Sequence, residues 1–172
     1  MPMVSRIHRA VQHRSTVPGI EPMTLVSNHQ FPRHAHDQFS IGVITFGAQR
    51  SWSGVGPVGA SAGDVIMANP GEMHDGVPLD NKARQWRMIY IDPALVAREL
   101  QEETTRPVEI VHPVAQDLLL AQHFARLVAT ERFDEAGIQV KRWVHSSCPK
   151  RAELRGSRRR YATNRGTPEM GS

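Results

Sequence analysis

The stretch F-P-R-H-A-H-D-Q-F-S-I-G-V-I-T-F-G, residues 31–47, decides the fold and raises the main functional question. Two histidines, His34 and His36, lie two positions apart, directly before an apolar run that is typical of a β-strand. Residues i and i+2 of an extended chain point to the same face, so the two imidazoles converge. They form half of a metal site, half of a pocket for an organic ligand, or a polar patch on a solvated sheet face.

The alternation of side chains along residues 39–46 predicts a barrel wall. The even positions continue the histidine face, and the odd positions are mostly apolar. The even set is Gln38, Ser40, Gly42, Ile44 and Phe46, and the odd set is Phe39, Ile41, Val43 and Thr45. Such a strand suits a barrel whose interior becomes hydrophilic at one mouth.

The surrounding sequence, from Met23 to Asp92, consists of short apolar runs that are separated by Gly, Pro, Asn and Asp. The runs are 23–27, 39–46, 64–69 and 86–92, and the breakers are 54–63 and 69–72. Short strands with frequent turn signals predict an antiparallel all-β barrel or sandwich. Residues 1–20 are polar and basic without a sustained period, which indicates a loose arm.

The period changes after Asp92. Asp92 at an N-cap position and Pro93 at N1 predict a helix over 92–103, and a second apolar period predicts a helix over 114–133. The second helix has an apolar stripe that is wider than one docked side needs. Its members are Leu118, Leu120, Phe124, Leu127 and Val128. Either the helix packs on the barrel alone, or part of the stripe pairs with a second copy in a homodimer.

The charge of the chain is concentrated at its end. Residues 141–172 hold nine Lys and Arg against two Glu, whereas residues 1–140 hold twelve basic and fifteen acidic residues. The body therefore has no composition suited to gripping phosphates. The tail, 136–172, is basic and aperiodic, which predicts a disordered or non-native segment.

The sequence contains no stretch of about 18 apolar residues, so it predicts no membrane-spanning helix. The N-terminus also lacks the apolar run of a secretion signal. The single cysteine, Cys148, cannot form an intrachain disulfide. These features fit the reducing cytoplasm best.

A third histidine, His74, follows a predicted strand and the Pro70-Gly71 turn in G-D-V-I-M-A-N-P-G-E-M-H, residues 63–74. Together with residues 31–47, this segment resembles the paired cupin motifs. The matching positions are His34, His36 and Gly47 in the first motif, and Gly63, Gly71 and His74 in the second. The resemblance implies a jelly-roll barrel with the three histidines at one site. Two positions depart from the pattern, because Ser40 replaces the metal-binding Glu and Asn69 replaces a Pro.

The amino-acid sequences of both segments, and of R-Q-W-R-M-I-Y-I-D-P at residues 84–93, are similar to the N-terminal sensor domain of AraC-type transcription regulators. The resemblance implies a barrel over 21–92 that binds a small-molecule effector, and a helical linker and dimerisation region over 93–135. DNA would be read by a C-terminal domain that this sequence lacks, as if truncated. The expected ligand-binding residues are His34, His36, Gln38, Ser40, His74 and Tyr90.

The alternative function is a small metal-dependent cupin enzyme, of the three-histidine dioxygenase or isomerase type. His34, His36 and His74 would hold Zn²⁺ or Fe²⁺ in an open geometry. Ser40 argues against it, because a neutral hydroxyl brings no charge and binds metal weakly. The sequence therefore favours a sensor without enzymatic activity and without a cofactor, with a divalent metal as the alternative.

Overall fold

The computed structural model describes residues 5–101 and 107–130, without the side chains of residues 127–130. These residues form strands β1 (His8–Gln12), β2 (Ile20–Ser27), β3 (Phe31–His34), β4 (Phe39–Phe46), β5 (Ala48–Ser53), β6 (Gly56–Ser61), β7 (Val65–Ala68), β8 (His74–Pro78), β9 (Arg84–Ile91) and β10 (Val114–Ala115), a 3-10 turn (Leu79–Asn81), and helices α1 (Pro93–Leu100) and α2 (Leu118–Thr130). The predicted tail over 136–172 lies outside the described residues.

Two antiparallel sheets form the body of the protein. One has the strand order β1-β2-β9-β4-β7-β10 and the other has the order β3-β8-β5-β6. Chain neighbours such as β3 and β4 belong to different sheets, so the chain crosses between the sheets, as in a jelly roll. The predicted fold class, mainly β with α-helices only after residue 92, is confirmed.

The two faces of β4 have different partners, as its alternation predicted. Phe39, Ile41 and Val43 belong to an outer core cluster that includes residues of both α-helices. Ile44 belongs to an inner cluster between the sheets, with Trp86 and Met88 of β9. The period of two therefore assigns each side chain of this strand to the helices or to the barrel interior.

Gly42 is the small residue that lets the Met88 side chain of the neighbouring strand β9 lie over the inner face of β4. A Cβ atom at this position would overlap Sδ of Met88 and the backbone carbonyl oxygen of Arg87. Met88 occupies the space that the missing side chain leaves, so the glycine is part of the packing of the barrel interior.

The prediction of a loose N-terminal arm over 1–20 is wrong for residues 8–12, which form the edge strand β1. All five side chains of β1 are exposed, so no apolar period marks the strand. It is held by backbone pairing with β2 and by Asn28, whose Oδ1 accepts from the Ile7 backbone N–H at 2.8 Å. The Asn28 side-chain amide donates to the Ser5 carbonyl at 2.9 Å.

The interpretation of residues 54–63 as a breaker is wrong as well. The segment contains β6, which pairs with β5 over six residues from Ala48↔Ser61 to Ser53↔Gly56. Its glycines hid the strand, because glycine is depleted in strands generally. Gly56, the first residue of β6 after the hairpin turn, has φ 105°, a backbone conformation that favours glycine.

Helix α1 begins where its cap predicted, since the Asp92 carboxylate accepts from the Ala94 backbone N–H at 2.7 Å. Helix α2 begins later than predicted. Val114 and Ala115 pair with the edge of β7 instead, and the Asp117 carboxylate then accepts from the Leu120 N–H at 2.9 Å. Of the described helices, none has the length and apolarity to cross a membrane.

Candidate functional site

A cavity of about 480 Å³ lies between the two sheets. Much of its wall is apolar and comes from the inner cluster, including Leu25, Trp86 and Met88. Polar side chains gather elsewhere on its wall. They include Glu21, His34, His36, Gln38, Ser40, His74 and Tyr90. All six residues that the sequence predicted as ligand-binding therefore line one cavity.

The three histidines are brought together by strand pairing. His34 ends β3 and lies directly opposite His74, the first residue of β8. His36 follows in the connection to β4. The ring centroids are 4.5 Å apart for His34 and His74, 5.0 Å for His34 and His36, and 5.3 Å for His36 and His74. The predicted convergence of these side chains is thus present.

Hydrogen bonds to backbone carbonyls set the tautomer of two of these rings. Nδ1 of His34 lies 2.7 Å from the Pro32 carbonyl oxygen, and Nδ1 of His74 lies 2.9 Å from the Glu72 carbonyl oxygen. A carbonyl oxygen can only accept, so each Nδ1 carries the proton and donates it. In the neutral form of either ring, Nε2 then keeps its lone pair for a ligand or a metal.

The surroundings keep His36 neutral. Burial lowers the pKa of His36 below 6.5, the neighbouring imidazoles of His74 and His34 lower it further, and Asp37 opposes them. Burial also raises the pKa of the Tyr90 hydroxyl, and the Glu21 carboxylate adds to that effect. At neutral pH this part of the cavity thus offers a neutral His36 imidazole and a protonated phenol beside one carboxylate.

Glu21 was missed by the sequence analysis. It stands opposite Tyr90 across the β2–β9 pair, and Tyr90 stands opposite Ser40 across the β4–β9 pair. The Gln38 side-chain amide donates to the Glu21 carboxylate at 3.2 Å. Strand register alone brings Glu21 into line with Tyr90 and Ser40, because nothing near Glu21 in the sequence marks it as a site residue.

Arg84 was missed too, although the i+2 series Arg84, Trp86, Met88 and Tyr90 could have found it. Its side chain is fully buried, and burial lowers its pKa to about 10. The guanidinium lies 4.7 Å from the Trp86 ring centroid. It donates to the carbonyls of Ser27, His29 and Gly76 and to the side chain of Gln49. Arg84 thus ties both sheets together at the cavity wall.

The residues present fit a divalent metal in part. Among the described residues, His34, His36 and His74 are the group that offers three ligand atoms, all within 4.8 Å of one another. Two have Nε2 free and Nδ1 held by a carbonyl, which is the usual outer-shell arrangement of metal-binding histidines. No carboxylate joins the group, so bound metal would keep open positions and a weaker hold.

The predicted dimerisation stripe needs correction. Leu120 and Phe124 are 5% and 1% exposed and belong to the outer core cluster of the chain itself, so they do not present a surface to a second copy. Leu118 is 75% exposed, and Leu119, which the prediction omitted, is 69% exposed. The side chains of Leu127 and Val128 lie outside the described residues.

Comparisons with solved structures find similar folds. The cupin domain of Cnp3 from Schizosaccharomyces pombe has a TM-score of 0.47 and 10% identity, over 58% of this chain and 77% of that chain. KdgF from Halomonas sp. has a TM-score of 0.43 and 18% identity, over 49% of this chain and 80% of that chain. A single-residue variant of oxalate decarboxylase from Bacillus subtilis has a TM-score of 0.45 and 12% identity, over 53% of this chain and only 27% of that chain. None of these likenesses bears on activity, metal content or partners.

No curated protein matches the chain significantly. A protein-family model does match, and its description is the AraC-like ligand binding domain. The match runs over residues 25–139, which is more than half of the chain and includes all three histidines. The chain therefore belongs to the family of AraC-like ligand-binding domains.

Proposed function

We propose that this chain is the sensing domain of a transcription regulator, and that it binds a small-molecule effector in the barrel without enzymatic activity of its own. The observation that carries the proposal is the cavity of about 480 Å³ between the sheets. Small-molecule sites typically measure about 300–1,000 Å³ and combine apolar walls with a few polar groups that fix orientation. This cavity has both features.

The polar residues of the cavity determine which chemical groups the effector needs in order to bind. Nε2 of His34 and His74 can accept hydrogen bonds, and so can the Glu21 carboxylate, whereas the Tyr90 hydroxyl can donate. An effector with a hydroxyl or amino group next to an apolar body satisfies these groups. Its apolar body would lie against Trp86 and Met88 and replace water there.

Filling the cavity should abolish effector binding. Ala60 is 7% exposed and lines the cavity, so Ala60→Phe places a ring where the effector would lie. We expect compounds from a diverse small-molecule collection that raise the Tm of the unaltered chain by several degrees to leave Ala60→Phe unshifted, since a ligand stabilises only the state that it binds. Thermal unfolding monitored by fluorescence measures this.

Ala62→Phe is the matched control, because Ala62 is exposed in the turn after β6. Its Tm should rise with the same compounds. Equal shifts in both variants would place the binding outside the cavity and contradict the proposed sensor.

We also propose that the domain forms a homodimer through the start of α2. Leu118 and Leu119 are adjacent and largely exposed, and covering a leucine side chain stabilises by about 1.5–3 kcal/mol. Replacing both by Asp should shift the sedimenting species from dimer to monomer. Asp is favourable in the first turn of a helix, so α2 should stay folded.

Ala97→Asp on α1 is the control, since Ala97 is exposed and does not belong to α2, and it should leave the dimer intact. A chain that sediments as a monomer at high concentration without any substitution would contradict the dimer.

DNA contact and a cytoplasmic location belong to the same proposal. Within residues 5–101 and 107–130, the two α-helices are separated by β10 and do not form a helix-turn-helix. The proposed regulator would therefore read DNA through other residues than these.

The second candidate is a metal-dependent cupin enzyme, and the histidine triad favours it. His34, His36 and His74 would hold the ion, which would supply Lewis-acid chemistry or activate water. The chain's own part would be to orient the rings through the Pro32 and Glu72 carbonyls and to surround the substrate with apolar side chains. Turnover of a substrate by the Fe²⁺-loaded chain, absent in His36→Ala, would favour this candidate over the sensor.

A further inference from the structure

The connection between β7 and β8, residues 69–73, touches two of the three histidines. The Gly71 backbone N–H donates to the His36 carbonyl at 2.8 Å. The Glu72 carbonyl accepts from Nδ1 of His74 at 2.9 Å. A shift of this connection would therefore move the backbone of one histidine and the ring of another.

The Glu72 carboxylate holds the connection in shape. Oε2 accepts from the backbone N–H of Asn69 at 3.0 Å and from its side-chain amide at 2.9 Å. Oε1 accepts from the backbone N–H of Gly54, in the β5–β6 turn, at 3.1 Å. Three N–H donors converge on this one carboxylate, and among the salt bridges of the described residues none involves it. Its contacts are those of a positioning residue.

The Asn69 side chain continues the contacts to a distant part of the chain. Its Oδ1 accepts from the Ile110 backbone N–H at 2.7 Å, and its Nδ2 donates to the Ile110 carbonyl at 2.8 Å. One side-chain amide thus satisfies both backbone groups of a residue that is 41 positions away. Ile110 itself is 9% exposed and belongs to the outer core cluster.

Ile110 leads directly to the start of α2. The Pro113 carbonyl accepts from the Met67 backbone N–H at 2.8 Å, and both Pro113 and Val114 line the cavity. Val114 then begins β10, and Asp117 caps α2. The segment 110–117 therefore joins the cavity wall to the helix.

We propose that Asn69 and Glu72 are positioning residues that couple the orientation of the His74 ring to segment 110–117 and hence to α2. The inference rests on the proposed function in one respect, because the coupling matters for sensing only if the cavity takes an effector. It assigns an order of contacts, which runs from His74 to Glu72, then to Asn69 and then to Ile110. A coupling between two sites must act in both directions, so loss of the Asn69 contacts should also be felt at His74.

The chain carries its own matched control. Asn28 makes the same kind of side-chain-to-backbone contacts, with Ile7 and Ser5, and neither of these contacts involves a histidine of the triad. Asn28→Ala removes two side-chain hydrogen bonds and Asn69→Ala removes three, and only the second removes the proposed coupling.

The experiment is NMR spectroscopy of the ¹⁵N-labelled full chain, with two readouts. Long-range ¹H–¹⁵N correlation spectra report the His74 tautomer, and hydrogen exchange reports the Ile110 amide. The unaltered chain should show His74 with its proton on Nδ1. Asn69→Ala should populate the other tautomer and speed Ile110 exchange about tenfold, as expected for loss of a net hydrogen-bond contribution. Asn28→Ala should speed exchange at Ile7 and leave both readouts unchanged.

Faster exchange at Ile110 with an unaltered His74 tautomer would overturn the proposal, because Asn69 would then only fasten the segment. If Asn69→Ala loses its dispersed spectrum, Asn69→Ser takes its place, since serine adds no charge beside the Glu72 carboxylate and lacks the amide that bonds both backbone groups of Ile110. An unaltered tautomer there overturns the proposal equally. The two proposals remain distinguishable: compounds that fail to bind the cavity refute the sensor, whereas the tautomer readout needs no ligand.

Discussion

Replacing Arg84 by Met should lower the free energy of unfolding by about 2–6 kcal/mol, because two buried carbonyls lose their donor. The guanidinium donates to the carbonyls of Ser27 and Gly76 through buried hydrogen bonds at 3.3 Å each. Met keeps much of the length of the side chain but cannot donate, and each buried carbonyl left without a donor costs about 1–3 kcal/mol. Urea unfolding followed by circular dichroism measures the loss.

The loss of unfolding free energy in Arg84→Met should exceed the loss that replacement of an exposed arginine causes. Arg50→Met is the control, since Arg50 is exposed on β5, and such surface changes usually stay within about 0.5 kcal/mol. Ser27 belongs to one sheet and Gly76 to the other, so Arg84→Met should also loosen the barrel as a whole. Equal stability of the two variants would show that Arg84 does not join the sheets.

Replacing His36 by Ala should reduce the affinity of the chain for Co²⁺ about 100-fold or more. Outer-shell partners of metal-bound histidines alone contribute about 10–100-fold, and a direct ligand contributes at least as much. The other two rings are held for metal binding by their Nδ1 hydrogen bonds, but two imidazoles without a carboxylate make a poor site. Titration followed by the visible absorption of Co²⁺ measures the affinity.

The pH dependence follows from the lowered pKa of His36. Metal binding requires the neutral ring, and the lowered pKa keeps His36 neutral to a pH below 6.5. In the unfolded chain the ring takes up a proton near pH 6.5, before it does so in the folded chain. Folding stability should therefore fall as the pH drops below about 6.5, and His36→Ala should flatten that slope.

His13→Ala is the control for both measurements, because the His13 ring bonds to Thr24 at 2.8 Å and is no member of the triad. It should bind Co²⁺ as the unaltered chain does. Unchanged Co²⁺ affinity in His36→Ala would mean that the metal lies elsewhere, and it would remove the basis of the enzyme alternative.

Local sequence determined the parts of this protein whose signal lies within a few residues. The alternation over 39–46 predicted that the side chains of β4 divide between two faces, one of them continuing the face of the histidines, because consecutive residues of a strand point to opposite faces. Asp92 and Pro93 predicted the start of α1, because capping depends on neighbouring residues alone. The two motifs also predicted that His34, His36 and His74 share one site.

The tertiary structure alone decided what depends on strand register and on contacts between distant segments. Edge strand β1 has no buried side chain, so its sequence carries no apolar period, and only backbone pairing reveals it. Leu120 and Phe124 look like a free stripe until the sheet beneath α2 is in place. Glu21 enters the cavity because β2 pairs with β9 in one register, and a slip of one residue would turn it to the other face. Asn69 meets Ile110 for the same kind of reason, since no local pattern encodes a contact across 41 residues.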